Sequence, residues 1–188
     1  MPPTSDARDA PAVSPWVARF APRLAGPVLD LACGSGRHVR WLLARGLAVT
    51  AVDRDVSGLA DIAGAPRLEI VAADLEAAAP AAGGWPLGDR RFAGVIVTNY
   101  LWRPLLPAIV GAVAEGGMLL YETFGRGNAA YGRPANPDFL LVPGELLDAV
   151  RGDLQVVAYE HGVIDTPRPA VVQRLCAVRG TEPATLPP

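Results

Sequence analysis

The 188-residue chain carries a formal charge of -2, with 51% hydrophobic and 19% charged residues. This balance excludes a disordered chain and a globally basic nucleic-acid binder, and it fits one globular domain. All 17 basic residues are arginine, which rules out a lysine-dependent P-loop and Schiff-base chemistry.

Residues 1–13 are rich in Pro, Ala and Asp without periodicity and are expected to form a flexible tail, as are residues 181–188. Between them, residues 14–180 are expected to form a single domain. Ser14-Pro15 opens a helix, serine as N-cap and proline at the first helical position, with Trp16, Val17, Phe20 and Leu24 at helical spacing behind it. The segment 27–32 reads as a strand, 36–46 as a helix closed by Gly46, and 47–53 as a second strand. A short helical stretch near 56–63 and a third strand at 67–74 follow, then an Ala/Pro/Gly-rich connection at 76–91. Next come a fourth strand at 92–99, a segment at 101–117 that is mostly helix, a fifth strand at 118–124 and a Gly/Pro/Asn-rich loop at 125–142. A helix at 143–151 and two strands, 154–162 and 170–178, close the chain.

Near-continuously apolar strands alternating with helices imply a parallel sheet covered on both faces. The last two strands are joined by VIDTPRP, too short for a helical crossover, so they should pair antiparallel. The expected fold is therefore α/β: a Rossmann-like, doubly wound, mainly parallel seven-stranded sheet with an antiparallel final strand. Two cysteines and two histidines are too few and too scattered for a disulfide framework or a zinc cluster, and no metal site is expected. Without a signal-peptide pattern or an apolar run long enough for a membrane span, a cytoplasmic protein is expected.

In such sheets ligands bind beyond the carboxyl ends of the strands, where strand order reverses. The first turn, Cys33-Gly34-Ser35-Gly36, lets backbone approach a ligand and opens a helix N-terminus towards it. Alone this is a weak signal. Asp53, nineteen residues after Gly34, stands where a carboxylate grasps a ribose diol. With Asp30 and Asp74, it puts acids at three successive strand ends around one crevice. A dinucleotide would call for a third glycine, but Val39 holds that place. Asp30, just before the turn, would repel a pyrophosphate and suits an amine or a sulfonium. Arg54 would suit a 2′-phosphate, but the missing glycine argues against that reading as well.

The stretch VLDLACGSGRHVRWLLARGLAVTAVDRD resembles motif I and the following acidic motif of class I S-adenosylmethionine-dependent methyltransferases. AADL (72–75) resembles their next motif, and the likeness covers residues 24–124 in order. Among small members the chain is most similar to bacterial tellurite-resistance-type and related methyltransferase-domain proteins. The resemblance implies S-adenosylmethionine as cofactor. Gly34, Ser35 and Gly36 would approach its methionine part through backbone, Asp30 would face the ammonium and Arg37 the carboxylate. Asp53 would bind the ribose hydroxyls and Asp74 the adenine amino group, with the Leu75 N–H on the ring and Asn99 at the fourth strand's exit.

Methyl transfer from a sulfonium needs approach geometry above all, and a base only when the acceptor must lose a proton. Tyr100 and Glu122, at the exits of the fourth and fifth strands, are the candidate catalytic residues. Trp102, Arg103, Arg126, Tyr131 and Arg133 are the candidate substrate residues, and the loop arginines suggest an anionic substrate. Packing or solvation accounts for each of these side chains equally well. The stretch from Thr98 to Arg103 is faintly similar to the Asn-Pro-Pro-Tyr motif of amino-group methyltransferases, but it lacks both prolines and does not imply nitrogen as acceptor. The expected function is methylation of a small molecule, with no nucleic-acid partner and no membrane. RNA or protein methylation, and a cofactor-binding sensor or scaffold, are the alternatives.

Overall fold

The computed structural model describes residues 12–77 and 85–183. Most of the two expected tails lies outside these residues, as does the middle of the 76–91 connection.

Ser14 caps the first helix, α1 (Pro15–Phe20), its Oγ accepting from the Trp16 N–H at 3.1 Å and, more weakly, from the Val17 N–H at 3.5 Å. The chain then runs through β1 (Val28–Leu31), α2 (Arg37–Leu43), β2 (Val49–Asp53), a 3-10 helix (Ser57–Ile62) and β3 (Leu68–Ala72). The second half holds β4 (Phe92–Thr98), α3 (Leu106–Gly111), β5 (Val113–Phe124), α4 (Glu145–Val150), β6 (Gln155–Ile164) and β7 (Ala170–Val178).

The sheet order is β3-β2-β1-β4-β5-β7-β6. The first five strands are parallel, and β7 lies antiparallel between β5 and β6, as the short connection requires. Alternate residues of each central strand serve opposite faces. Leu29 and Leu31 of β1, with Val95 and Val97 of β4, pack under α3 and α4 through Ile109, Val110 and Leu146. Val28 and Ile96 look the other way, into a core with Trp16, Phe20, Val39, Leu42 and Leu59. Full burial of each such side chain contributes about 1.5–3 kcal/mol.

The register Asp30–Ala51 and Asp53–Ala72 brings the ends of β1, β2 and β3 to one edge, and Thr98–Glu122 brings β4 and β5 to it. Strand order reverses between β1 and β4, so the crevice lies above these ends.

The helix expected over 101–117 is shorter. A 3-10 turn at Arg103–Leu105 leads into α3, and β5 already begins at Val113. Phe92 pairs with Val113, then Gly94 with Met118, so the intervening residues bulge out of the ladder. Gly117 permits this: a Cβ there would lie 2.8 Å from the carbonyl oxygens of Phe92 and Ala114. No helix among the described residues is long and apolar enough to cross a membrane.

Candidate functional site

The turn between β1 and α2 is pinned from two sides. The Gly34 N–H donates to Asp53 Oδ2 at 2.8 Å, and the Cys33 N–H donates to the Val52 carbonyl at 3.1 Å. Asp53 Oδ1 accepts from the Asp55 N–H at 3.1 Å. A carboxylate has about four acceptor positions, so both oxygens keep capacity for ligand hydroxyls. Gly34 and Gly36 are left-handed, with φ of 54° and 77°. A Cβ on Gly34 would meet nothing within 4 Å, whereas one on Gly36 would sit 2.1 Å from Leu59 Cδ2. The first glycine thus leaves open space above the turn, and the second allows the 3-10 helix to pack against it. Ala32 is also left-handed, at φ 54°, a strained setting for a residue with a Cβ.

Asp30 lies beneath this turn, 1% exposed. Its Oδ1 is 4.0 Å from His38 Nδ1, and its Oδ2 has no partner among the described residues. Burial pushes its pKa up to about 7, against the opposing pull of the Arg37 guanidinium. His38 Nε2 accepts from the Ser14 N–H at 3.3 Å, which assigns the ring proton to Nδ1. Burial, helped by Arg37, lowers the His38 pKa to about 3 and keeps the ring neutral. A buried carboxylate with one free oxygen under an open backbone turn is a ready acceptor for an incoming cation. Arg37 reaches across to the Thr98 hydroxyl (3.4 Å) and the Ala12 carbonyl (3.3 Å).

A cleft of three cavities runs along the strand ends. The first, about 330 Å³, is lined by Ala32, Asp53, Arg54, Asp74 and Leu75, with Tyr100 and Phe139. Asp74 Oδ1 accepts from the Glu76 N–H at 2.9 Å, fixing the carboxylate at the cavity wall. Tyr100 and Phe139 also line the second cavity, about 220 Å³, which continues past Asn99, Thr123 and Phe124. Asn99 and Phe124 lead in turn to a third of about 90 Å³, walled by Arg37, Glu122, Arg168 and Arg174. Asn99 holds φ at 57°, a conformation asparagine tolerates better than most residues, and its N–H donates to the Glu122 carbonyl at 2.8 Å. The Tyr100 hydroxyl is buried without a partner among the described residues, and burial raises its pKa, so it stays protonated as a donor. Its backbone is fixed from below by the Tyr121 hydroxyl, which donates to the Tyr100 carbonyl at 2.9 Å.

The acceptor-side expectations fare unevenly. Glu122 is 8% exposed and each of its oxygens accepts one bond: Arg174 Nε donates to Oε2 at 2.5 Å and Ser14 Oγ to Oε1 at 3.0 Å. Arg103 does not face the cleft with its charge. It pairs with Glu145 at 2.6 Å and donates to the carbonyls of Asp138 and Leu140, clamping the loop that carries Phe139. Trp102 packs, half-buried, against the core cluster of α3 and α4. Arg126, Tyr131 and Arg133 are exposed on the long loop and line none of the three cavities. Residues with no sequence signal take their places. Phe139 sits among prolines and asparagine, Arg168 in the β6–β7 connection, and Arg174 mid-strand, each brought to the cleft by tertiary contact alone. Among the described residues no three His, Cys, Asp or Glu side chains gather as a metal site.

No family model matches the chain, and no curated protein matches it. Solved structures do. TehB from Haemophilus influenzae shares 18% identity with a TM-score of 0.72, covering 92% of this chain and 64% of that one. This chain therefore spans less than two thirds of the TehB structure's length. The glycopeptide N-methyltransferase MtfA, complexed with S-adenosylmethionine, shares 24% identity at a TM-score of 0.59, covering 87% of this chain and 92% of that one. The fold is the Rossmann-like methyltransferase fold. It is not bound to one reaction, since the [4+2]-cyclase SpnF matches at 14% identity and TM-score 0.64, covering 89% of this chain and 79% of that one.

Proposed function

We propose that the protein is an S-adenosylmethionine-dependent methyltransferase acting on a small-molecule acceptor. One observation carries this reading: Asp53 and Asp74 line one cleft, Asp53 holds the Gly34 N–H of the glycine turn, and Asp30, buried with one oxygen unpartnered among the described residues, sits on the strand that leads into that turn. The residues fit the donor end to end. Asp30 Oδ2 accepts from its ammonium, Arg37 takes its carboxylate, and the Gly34-Ser35-Gly36 backbone lies along its methionine chain. Asp53 holds the ribose hydroxyls, Asp74 and the Leu75 N–H read the adenine edge, and Asn99 closes the methionine side. A dinucleotide would set a pyrophosphate against Asp30, which this arrangement disfavours.

The donor brings an activated sulfonium methyl group. The chain contributes orientation, which supplies up to about 7–11 kcal/mol of a displacement barrier, and exclusion of water. Tyr100 stands between the donor and acceptor cavities, where its ring faces a sulfonium favourably and its hydroxyl donates to a ligand oxygen. Glu122, tied to Arg174 and Ser14, holds the third cavity's wall.

The reading is tested by following conversion of donor to S-adenosylhomocysteine over a panel of small acceptors. Binding without turnover across the panel supports a sensor or scaffold instead. With a formal charge of -2, the chain offers no general attraction to RNA.

A further inference from the structure

We propose that the acceptor is a small carboxylic acid with an apolar body, its carboxylate received by Arg168 and its body seated between Phe124 and Phe139. This rests on the methyltransferase reading, which gives Arg37 and Asn99 in these cavities' walls to the donor and leaves the rest of their lining, Arg168, Phe124 and Phe139 among it, to the acceptor.

The second and third cavities meet at Asn99 and Phe124 and differ in character. The 220 Å³ cavity is walled mainly by apolar groups, Phe124, Phe139, Leu101 and Pro134 among them. The 90 Å³ cavity is walled by three arginines and one acid. Even taken together they only reach the lower end of the roughly 300–1,000 Å³ typical of drug-sized ligands, so the occupant is small.

The charges in the smaller cavity do not cancel. Glu122 is neutralised by Arg174, which also meets Glu160 at 3.3 Å. Arg37 is taken by the donor's carboxylate. Arg168 is left without a carboxylate within ion-pair range among the described residues. It stacks 5.8 Å above the Phe124 ring and spends one N–H on the Arg133 carbonyl at 3.1 Å. Those two contacts orient a guanidinium that has five N–H donors, and a planar fork so held suits a carboxylate. Phe124 belongs to both cavities, so a ligand anchored at Arg168 lays its next atoms along the apolar wall. The acid of the pocket, Glu122, does not oppose this, since its charge is already met.

The test is a calorimetric titration of matched pairs, benzoate with benzamide, phenylacetate with phenylacetamide and cinnamate with cinnamamide. Each is run with and without saturating S-adenosylhomocysteine. At least one acid should bind about ten-fold tighter than its amide, the step expected of one charge-assisted contact. Arg168→Gln should abolish that preference, Arg168→Lys should keep part of it, and the exposed Arg151→Gln should keep all of it. S-adenosylhomocysteine affinity should be the same in all four proteins. Acids and amides binding alike in every pair, or a preference undiminished in Arg168→Gln, overturns the proposal. Absence of S-adenosylhomocysteine binding overturns the donor reading instead, and the pairs titrated without it still report on the pocket.

Discussion

Beneath the glycine turn, Asp30 and His38 are displaced in opposite directions by the same burial, which gives the pair an unusual pH signature. Asp30, raised from 3.8 to about 7, contributes stability that is present below 3.8 and lost as pH rises through 7. His38, lowered from 6.5 to about 3, contributes stability that is present above 6.5 and lost as pH falls through 3. Between those windows the two slopes cancel, because the native state binds its proton on Asp30 while the unfolded chain binds it on His38. Asp30→Asn removes one side of the balance. The variant's stability should fall on acidification from pH 6.5 towards 4 by up to about 1.4 kcal/mol per pH unit relative to the native protein. Urea melts across that range check it, and parallel profiles would show that the two groups do not compensate. Gly36 makes a purely steric prediction at the same scale. Gly36→Ala combines a left-handed φ with a Cβ 2.1 Å from buried Leu59, and should cost about 2–4 kcal/mol in denaturant melts.

The loop between β5 and α4 shows how far an element can be read from sequence. Its composition marks a loop, and its exposed arginines invite a substrate role. Yet the structure turns Arg126, Tyr131 and Arg133 outward and uses Arg103, from a different segment, to fasten the loop. Arg103→Ala should lower stability by about 1 kcal/mol, a figure discounted for the arginine's partial exposure. It should also speed hydrogen exchange at Phe139, Leu140 and Leu141, while leaving the amides of β1 and β4 protected. Unchanged exchange at Phe139 to Leu141 would contradict the clamp. The donor half of the site was legible because it is local: strand, glycine turn and strand-end acids occur in fixed order along the chain. The acceptor half was not, because Phe139, on the loop after β5, is brought beside Arg168 and Arg174, which stand far along the chain in the β6–β7 stretch. The helix at 101–117 is shorter than its sequence suggests for a related reason. Apolar periodicity continues through Val113, but Gly116 and Gly117 admit a bulged strand that periodicity does not report.

At the scale of the molecule, the sheet works as a rigid bench. Five parallel strands end level, their two faces are sealed by separate cores, and the residues aimed at ligand all stand on strand exits or the turns that follow. Solved structures as distant as 14% identity keep this bench, so the fold indicates where a ligand binds and the side chains must say which. The central claim is that Gly34, Asp53 and Asp74 form a site for S-adenosylmethionine. It is tested most directly by isothermal titration of S-adenosylhomocysteine into the native protein and into Asp53→Ala. The native chain should bind one equivalent, and Asp53→Ala, with an unchanged circular dichroism spectrum, should bind about 10–100-fold more weakly as two charge-assisted hydrogen bonds are lost. Absence of binding to the native protein, or equal affinity in the variant, would contradict the account.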